Sequence, residues 1–298
     1  MRTLFVVLGP TGVGKTELCL KLAKHIGSPI INADSRQIFA ELPIGTAAPT
    51  IAQQREVKHY FVGTHHLADY YSASLYEQDV MQLLQNELAG LDAVVLSGGS
   101  MMYVDAVCYG IDDIPTVDPT TRAVMKARLQ SEGLPALVEE LKRLDPVHYA
   151  EVDRNNPRRV VHALEICHMT GKPYSSFRTH TQKQRSFRIV KIGLNRPREE
   201  LYTRINERVL RMVDEGLIEE ARSVYPLRGL NSLNTVGYKE IFAYFDGAIP
   251  LEEAVRQIQS NTRQYMRKQL TWFKKQIDIE WFHPRNIEEI INYMDFSR

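Results

Sequence analysis

The sequence predicts an α/β protein: a parallel sheet flanked by helices, plus an all-helical insertion domain. Three observations predict it. The apolar run Leu4-Phe5-Val6-Val7-Leu8 leads into a glycine-rich octapeptide and then a helix-patterned segment, the order strand, loop, helix. A second apolar run, Ala93-Val94-Val95-Leu96, has the near-continuous pattern of a strand buried on both faces. Between about residues 115 and 186 the signals are helical only, whereas strand signals occur on both sides. A chain of 298 residues is long enough for an α/β core, 1–114 and 187–298, carrying an insertion at 115–186.

Each element follows from its local chemistry. The octapeptide Gly9-Pro10-Thr11-Gly12-Val13-Gly14-Lys15-Thr16 has the spacing of a P-loop. Its glycines let backbone N–H groups close around phosphate oxygens, Lys15 adds a point charge, and Thr16 can offer its hydroxyl to Mg²⁺. The core is therefore expected to be P-loop NTPase-like. Leu18, Leu22 and Ile26 give the following helix a sheet-facing stripe, and Gly27 with Pro29 ends it. A short strand, Pro29 to Asn32, then delivers Ala33-Asp34-Ser35 to the carboxyl edge of the sheet, where ligands of open α/β folds sit. A helix from about Ser74 to Leu88 leads to the strand at Ala93, which ends in Ser97-Gly98-Gly99-Ser100.

After Gly110, Asp118-Pro119 starts one helix, Pro135 to Leu144 forms another, and Asn156-Pro157 caps a third running to Gly171. Ile189 to Leu194 returns to a strand pattern, followed by a helix from Pro197 to Glu215 and, near the C-terminus, a long helix from Leu251 to Lys275. Cys19, Cys108 and Cys167 are far apart and odd in number, which fits buried thiols of a reducing compartment better than a disulfide frame or a zinc site. No apolar run approaches a membrane span, and a cytoplasmic location is expected.

Charge patterning suggests a polyanionic partner. The net charge is only +1, yet nine Lys and Arg residues lie between Arg154 and Lys191 against the single acid Glu165. A second acid-free cluster, Arg256, Arg263, Arg267, Lys268, Lys274 and Lys275, lies on the long C-terminal helix. Such clusters can be solvated faces, but two without interspersed acids favour nucleic acid.

The strand ending in Ser-Gly-Gly-Ser lacks the Asp with which ordinary P-loop hydrolases hold Mg²⁺ and water. The carboxylate near the phosphates is Asp34, placed to accept a proton from an incoming nucleophile, although an Asp before Ser is also a common cap. Arg204, Arg208 and Arg211 share one face of their helix. They can be a solvated stripe or a clamp on a leaving phosphate group.

The ordered set of Gly9 to Thr16, Asn32-Ala33-Asp34-Ser35-Arg36-Gln37, Ile44-Gly45-Thr46-Ala47-Ala48-Pro49, Tyr71-Ser72-Ala73, Gly98 to Tyr103, Asn156-Pro157-Arg158-Arg159-Val160-Val161-His162-Ala163-Leu164-Glu165, Val236-Gly237-Tyr238-Lys239-Glu240 and Thr262 to Trp272 resembles the tRNA isopentenyltransferase family, the bacterial tRNA dimethylallyltransferases. The likeness covers almost the whole chain. It implies transfer of a dimethylallyl group from dimethylallyl diphosphate to N6 of adenosine 37 beside the anticodon, with release of pyrophosphate. By the same resemblance Asp34 matches the general base, Lys15, Thr16 and Ser100 match groups on the leaving pyrophosphate, and Arg204 is the arginine expected to join them. Gly9, Pro10, Thr11, Gly12, Val13 and Gly14 complete the diphosphate cradle. Asp34, Ser35, Arg36, Gln37, Ser100, Arg122, Arg158, Arg159, Val160, Val161 and His162 match positions that meet the tRNA anticodon stem-loop.

The chain departs from the family pattern at three places. Ser100 replaces Thr, Ala48 replaces Lys, and His162 stands where Arg is frequent. Mg²⁺ is the implied cofactor, and a monomer is expected. A P-loop small-molecule kinase would share the loop and Asp34 but would carry a short arginine-bearing lid in place of the basic insertion. A non-catalytic RNA-binding protein would not need Lys15, Thr16 and Asp34 together.

Overall fold

The computed structural model describes residues 1–179 and 182–298. Among them, six strands form one all-parallel sheet in the order β3-β2-β4-β1-β5-β6. These are β1 (Thr3–Leu8), β2 (Ile30–Asn32), β3 (His59–Tyr60), β4 (Ala93–Gly98), β5 (Arg188–Leu194) and β6 (Ile279–Phe282). β1 is central, pairing with β4 on one side and β5 on the other. Every residue of β1 and of β4 is buried, as expected where helices cover both faces.

Alternation along the strands divides the core. Phe5, Val7, Val95 and Ile192 point to a face covered by α1 (Lys15–Ile26), α8 (Arg198–Asp214), α11 (Leu251–Phe273) and α12 (Ile287–Phe296). Leu4, Val6, Leu8, Val94 and Leu96 point to the other, covered by α3 (Ala73–Gln85) and α4 (Met101–Tyr109). A third cluster packs Ile38, Phe39 and Leu42, from the loop after β2, against Val209 and Met212 of α8, Leu217 of α9 (Leu217–Val224), Tyr238 and Ile241 of α10 (Tyr238–Phe245) and Ile258 of α11.

Gly27 and Gly171 close α1 and α7 (Pro157–Thr170) in the left-handed conformation, and Ser72 caps α3 through the Leu75 amide. The C-terminal third, which reads as helical in the sequence, also contains β6. Its four residues, Ile-Glu-Trp-Phe, offer too short an apolar signal to separate from a helix end, and it is the edge pairing with β5 that makes them a strand. The short helix α2 (Ile51–Glu56), with a Thr50 capping box, and the two-residue β3 are similarly below what periodicity reveals.

The chain divides into two compact units, Met1–Tyr109 with Gln184–Arg298, and Gly110–Lys183. The second is all helical. Its α5 (Pro119–Leu144) starts on the Asp118 cap and is broken at Gly133, whose φ of 79° is left-handed, so the segments before and after it are separate helices. α6 (Pro146–Glu151) and α7 complete the unit, with Met125, Leu137, Leu141, Val160, Ala163 and Leu164 as its core. Arg185, placed by the sequence pattern in the insertion, belongs to the first unit. Its guanidinium donates to the Val107 and Ala106 carbonyls at the end of α4 and pairs with Glu77 at 2.7 Å.

The carboxyl ends of β2 and β4 touch at backbone level. A Cβ added to Gly98 would lie 2.1 Å from the Ala33 carbonyl oxygen, so only glycine fits. Gly98→Ala is therefore expected to lose about 3 kcal/mol of unfolding free energy. Gly90→Ala, whose Cβ would meet nothing within 4 Å, should lose almost none. Urea unfolding of the two variants checks this, and equal midpoints would contradict it.

Candidate active site

The site lies at the carboxyl edge of the sheet, in the first unit. Between β1 and α1 the P-loop turns through Gly12 and Gly14, at φ 84° and 103°, conformations that side chains rarely adopt. Lys15, the first residue of α1, is half-buried and its ammonium donates to the Gly9 and Pro10 carbonyls at 2.8 and 3.0 Å. Burial pulls its pKa down from 10.5 to about 8, against the upward pull of the Asp34 carboxylate and with a smaller downward push from Arg208. Lys15, Thr16, Asn32, Asp34, Gln37 and Ser97 line one cavity. The structure thus brings four sequence-predicted site residues, Lys15, Thr16, Asp34 and Gln37, to one place.

Asp34 caps its own turn through one carboxylate oxygen. Its Oδ1 accepts from the Arg36 and Gln37 amides at 2.9 and 3.4 Å. Among the described residues its Oδ2 has no hydrogen-bond partner. Ser100 is buried, and its hydroxyl accepts from the Ser35 amide at 2.8 Å and donates to the Ser35 hydroxyl at 3.1 Å. The Ser100 amide donates to the Ala33 carbonyl at 3.2 Å. Ser100 therefore ties the turn after β4 to the turn that carries Asp34. Arg36, half-buried, donates to the Ser232 carbonyl at 3.2 Å, and Gln37 donates to the Thr46 and Ala47 carbonyls, both at 3.0 Å.

The three arginines of α8 differ in what they touch. Arg204 Nε donates to the Gly12 carbonyl at 2.8 Å, while Arg196, just before the helix, donates to the Val13 carbonyl at 2.8 Å. Arg208 reaches the Thr11 hydroxyl at 2.5 Å, and its Nε is shielded from solvent without a hydrogen-bond partner. Burial lowers the pKa of Arg208, opposed by Asp34 and reinforced by Arg211 and Arg204. Arg208 and Arg211 also line a second cavity, of about 520 Å³, whose apolar wall includes Phe39, Ile44, Ile51 and Met212. Gln37 and Pro49 line both cavities, and Ala48 lies on the wall of the larger one.

Sequence reasoning missed two residues that shape the site. Glu220 of α9 accepts from the Ile44 and Gly45 amides at 2.7 and 2.8 Å and from the Tyr238 hydroxyl at 2.6 Å, fixing the loop that roofs the larger cavity. A Cβ on Gly45 would lie 2.5 Å from that hydroxyl, so glycine and tyrosine are a matched pair. Gln269 of α11 contacts the P-loop and the turn after β4. Gln269 lies in the Thr262 to Trp272 block, but its role and that of Glu220 are not marked locally, because their partners at Thr11, Gly99 and Ile44 lie more than a hundred residues away.

The basic stretch from Arg154 to Lys191 is not one face. Lys191 is buried in the core and pairs with Asp278 at 3.0 Å, and Arg185 is engaged by Glu77. In the helical unit, Arg158 and Arg159 are exposed on the first turn of α7, beyond the Asn156 cap, with Arg154 exposed nearby. Val160 is buried and Val161 half-buried in that unit's core. The buried Glu165 holds His162 at 3.4 Å and Arg122 at 3.8 Å. On α11, Arg267 and Lys268 are exposed, as are Lys274 and Lys275 just past its end, whereas Arg256 pairs with Glu253 and Arg263 donates to Asn206.

The profile of the IPP transferase family matches residues 37–276. The chain belongs to this family. It is 60% identical over 294 residues to tRNA dimethylallyltransferase 2 of Parabacteroides distasonis, spanning 99% of this chain and 98% of that one. It is 59% identical, also over 294 residues, to tRNA dimethylallyltransferase 1 of Bacteroides thetaiotaomicron, across 99% and 96% of the two chains. The crystal structure of a tRNA isopentenylpyrophosphate transferase from Bacillus halodurans superposes with a TM-score of 0.71 at 34% identity, covering 100% of this chain and 97% of that one. A eukaryotic dimethylallyltransferase acting on tRNA shares the fold, with a TM-score of 0.81 at 21% identity over 97% of this chain and 75% of that one. No described helix of this IPP transferase is long and apolar enough to cross a membrane.

The depressed pKa of Lys15 gives a pH signature. The free ammonium loses its charge as pH rises through about 8. A bound polyanion favours the charged form and raises that value, so binding near pH 8 must take up a proton. Calorimetry of pyrophosphate binding in two buffers of different ionisation enthalpy should show this uptake and weakening affinity above pH 8. Lys15→Ala should bind more weakly and lack its share of the uptake. Identical proton uptake in the variant would exclude Lys15 as its source.

Proposed function

We propose that this protein transfers the dimethylallyl group of dimethylallyl diphosphate to N6 of adenosine 37, next to the anticodon of tRNA, releasing pyrophosphate. Membership of the IPP transferase family and relatives named tRNA dimethylallyltransferase at about 60% identity support the transfer and its RNA acceptor. The single observation that carries the residue assignment is the shared cavity of Lys15, Thr16 and Asp34, which sets an anion cradle beside an uncommitted carboxylate oxygen.

In this reading the P-loop from Gly9 to Gly14, Lys15 and Arg208 take the diphosphate. Arg208 is preferred to Arg204 because its Nε is desolvated without a partner, whereas the Nε of Arg204 already donates to the Gly12 carbonyl. The N6 amine attacks C1 of the allyl group as the bond from C1 to the diphosphate oxygen breaks. The electron pair of that bond leaves with the pyrophosphate, and the surplus N6 proton passes to Asp34 Oδ2. Cations gathered on the leaving oxygens lower the barrier because allylic charge develops only as theirs is neutralised. The adenine must leave its stack to reach this edge of the sheet. Ala48 removes a family lysine from the wall of the larger cavity, where Arg208 and Arg211 already supply positive charge. Ser100 is assigned to holding the Asp34 turn, through Ser35.

Mg²⁺ fits the donor set. The Thr16 hydroxyl and the Asp34 carboxylate are hard oxygens lining one cavity, and among the described residues no cluster of three His, Cys, Asp or Glu forms a self-sufficient cage. When bound, it would neutralise diphosphate charge, with Thr16 as its ligand from the protein. Arg158, Arg159, Arg122 and His162 are assigned to tRNA, the last two oriented by Glu165.

Two substitutions test the assignment. Asp34→Asn keeps an oxygen for the Arg36 amide but cannot accept the N6 proton, so kcat should fall about a hundredfold or more while pyrophosphate and tRNA still bind. Near-normal turnover would leave Asp34 a cap alone. Neutralising Arg158 and Arg159 together should weaken tRNA binding and flatten its salt dependence by about one unit of log slope per lost phosphate contact. Filter binding across a salt series reads this, and an unchanged slope would move the RNA surface to α11.

A further inference from the structure

We propose that Gln269 is a positioning residue that sets the spacing between the P-loop and the Gly98–Ser100 turn, and so between the leaving group and the base. The inference rests on the reading above and extends it to a residue with no contact to the reacting atoms. Gln269 lies on α11 and is 1% exposed. Its Oε1 accepts from the Thr11 amide at 2.8 Å, and its Nε2 donates to the Gly99 carbonyl at 2.8 Å. A single side-chain amide thus uses its acceptor on the loop after β1 and its donor on the loop after β4.

These two loops carry the opposing halves of the chemistry. The P-loop leads directly into Lys15, and the Gly98–Ser100 turn holds Ser35 through Ser100, next to Asp34. Strands β1 and β4 are adjacent, so the sheet fixes their ends, but beyond Leu8 and Gly98 no further register pair binds the loops to each other. Gln269 supplies that tie from a helix. The fit is close: a Cβ on Gly99 would sit 2.5 Å from Gln269 Nε2, so the glycine and the amide are matched in size. Both bonds are buried, where loss of either leaves a main-chain group unsatisfied. The Thr11 amide is committed to Gln269, so the orientation of the P-loop backbone at Thr11 depends on that acceptor.

Two variants read the tie from opposite sides. Gln269→Met removes both bonds at nearly equal volume, and Gly99→Ala leaves the amide in place but pushes it away. Each should weaken binding of inorganic pyrophosphate about tenfold and lower kcat about tenfold or more. Affinity for unmodified tRNA should stay within about twofold of the original, and the double variant should be little worse than either single one, since the second change breaks a tie already lost. A merely structural role would reduce the active fraction and leave both dissociation constants of the folded protein unmoved. The inference is overturned if a folded variant keeps pyrophosphate affinity and kcat, or if tRNA affinity falls as far as pyrophosphate affinity. Should Gln269→Met not fold, Gly99→Ala alone decides on the same readings. If the unsubstituted chain transfers no prenyl group, the proposed function fails while the pyrophosphate arm still tests the tie.

Discussion

The site depends on one close approach, the contact of the β4 end with the backbone of Ala33. The Ala33 amide donates to the Ser97 carbonyl at 2.7 Å, the Ser100 amide donates back to the Ala33 carbonyl at 3.2 Å, and Gly98 leaves no room for a side chain between them. This backbone contact fixes Asp34 two residues beyond β2, on the edge where the P-loop begins α1. Ser100 then locks the next residue, Ser35, through two hydrogen bonds. The Asp34 carboxylate after β2 and the P-loop after β1, with β4 between the two strands, follow from this packing and need no dedicated loop.

The electrostatics follow from the same geometry. Lys15, Arg196, Arg204 and Arg208 converge on a loop of half a dozen residues, and three of the four donate to its carbonyls. Carbonyl dipoles temper the repulsion among these cations, and Asp34 holds up the pKa of both Lys15 and Arg208 against burial. Of these four cations, Arg208 alone keeps a shielded nitrogen without a partner. Positive charge gathered this densely, beside an apolar-walled cavity, suits a ligand that is anionic at one end and hydrocarbon at the other.

Much of this was legible in the sequence because it is local. The P-loop, the strand that delivers Asp34, the caps at Asp118 and Asn156 and the break between the helices of α5 are all written in contiguous residues. The arginine face of α8 was visible, but which arginine is desolvated was not, since that depends on the P-loop packed against it. The roles of Gln269, although it lies in the quoted Thr262 to Trp272 block, and of Glu220 were not legible because a polar residue in a helix looks solvated until its distant partner is known. The basic run misled for the converse reason: Lys191 and Arg185 meet Asp278 and Glu77, acids remote in sequence. β6 was hidden because only its pairing with β5 makes it a strand.

The central claim is that this P-loop grips an isoprenoid diphosphate and not a nucleotide triphosphate. The most direct measurement incubates the protein with unmodified tRNA and Mg²⁺, supplying dimethylallyl diphosphate or ATP in separate reactions, followed by nucleoside digestion and mass analysis. The account predicts an adenosine carrying one added five-carbon isoprenoid unit with dimethylallyl diphosphate and no modified nucleoside with ATP. Unchanged adenosine with dimethylallyl diphosphate, or phosphoryl transfer from ATP, would contradict it.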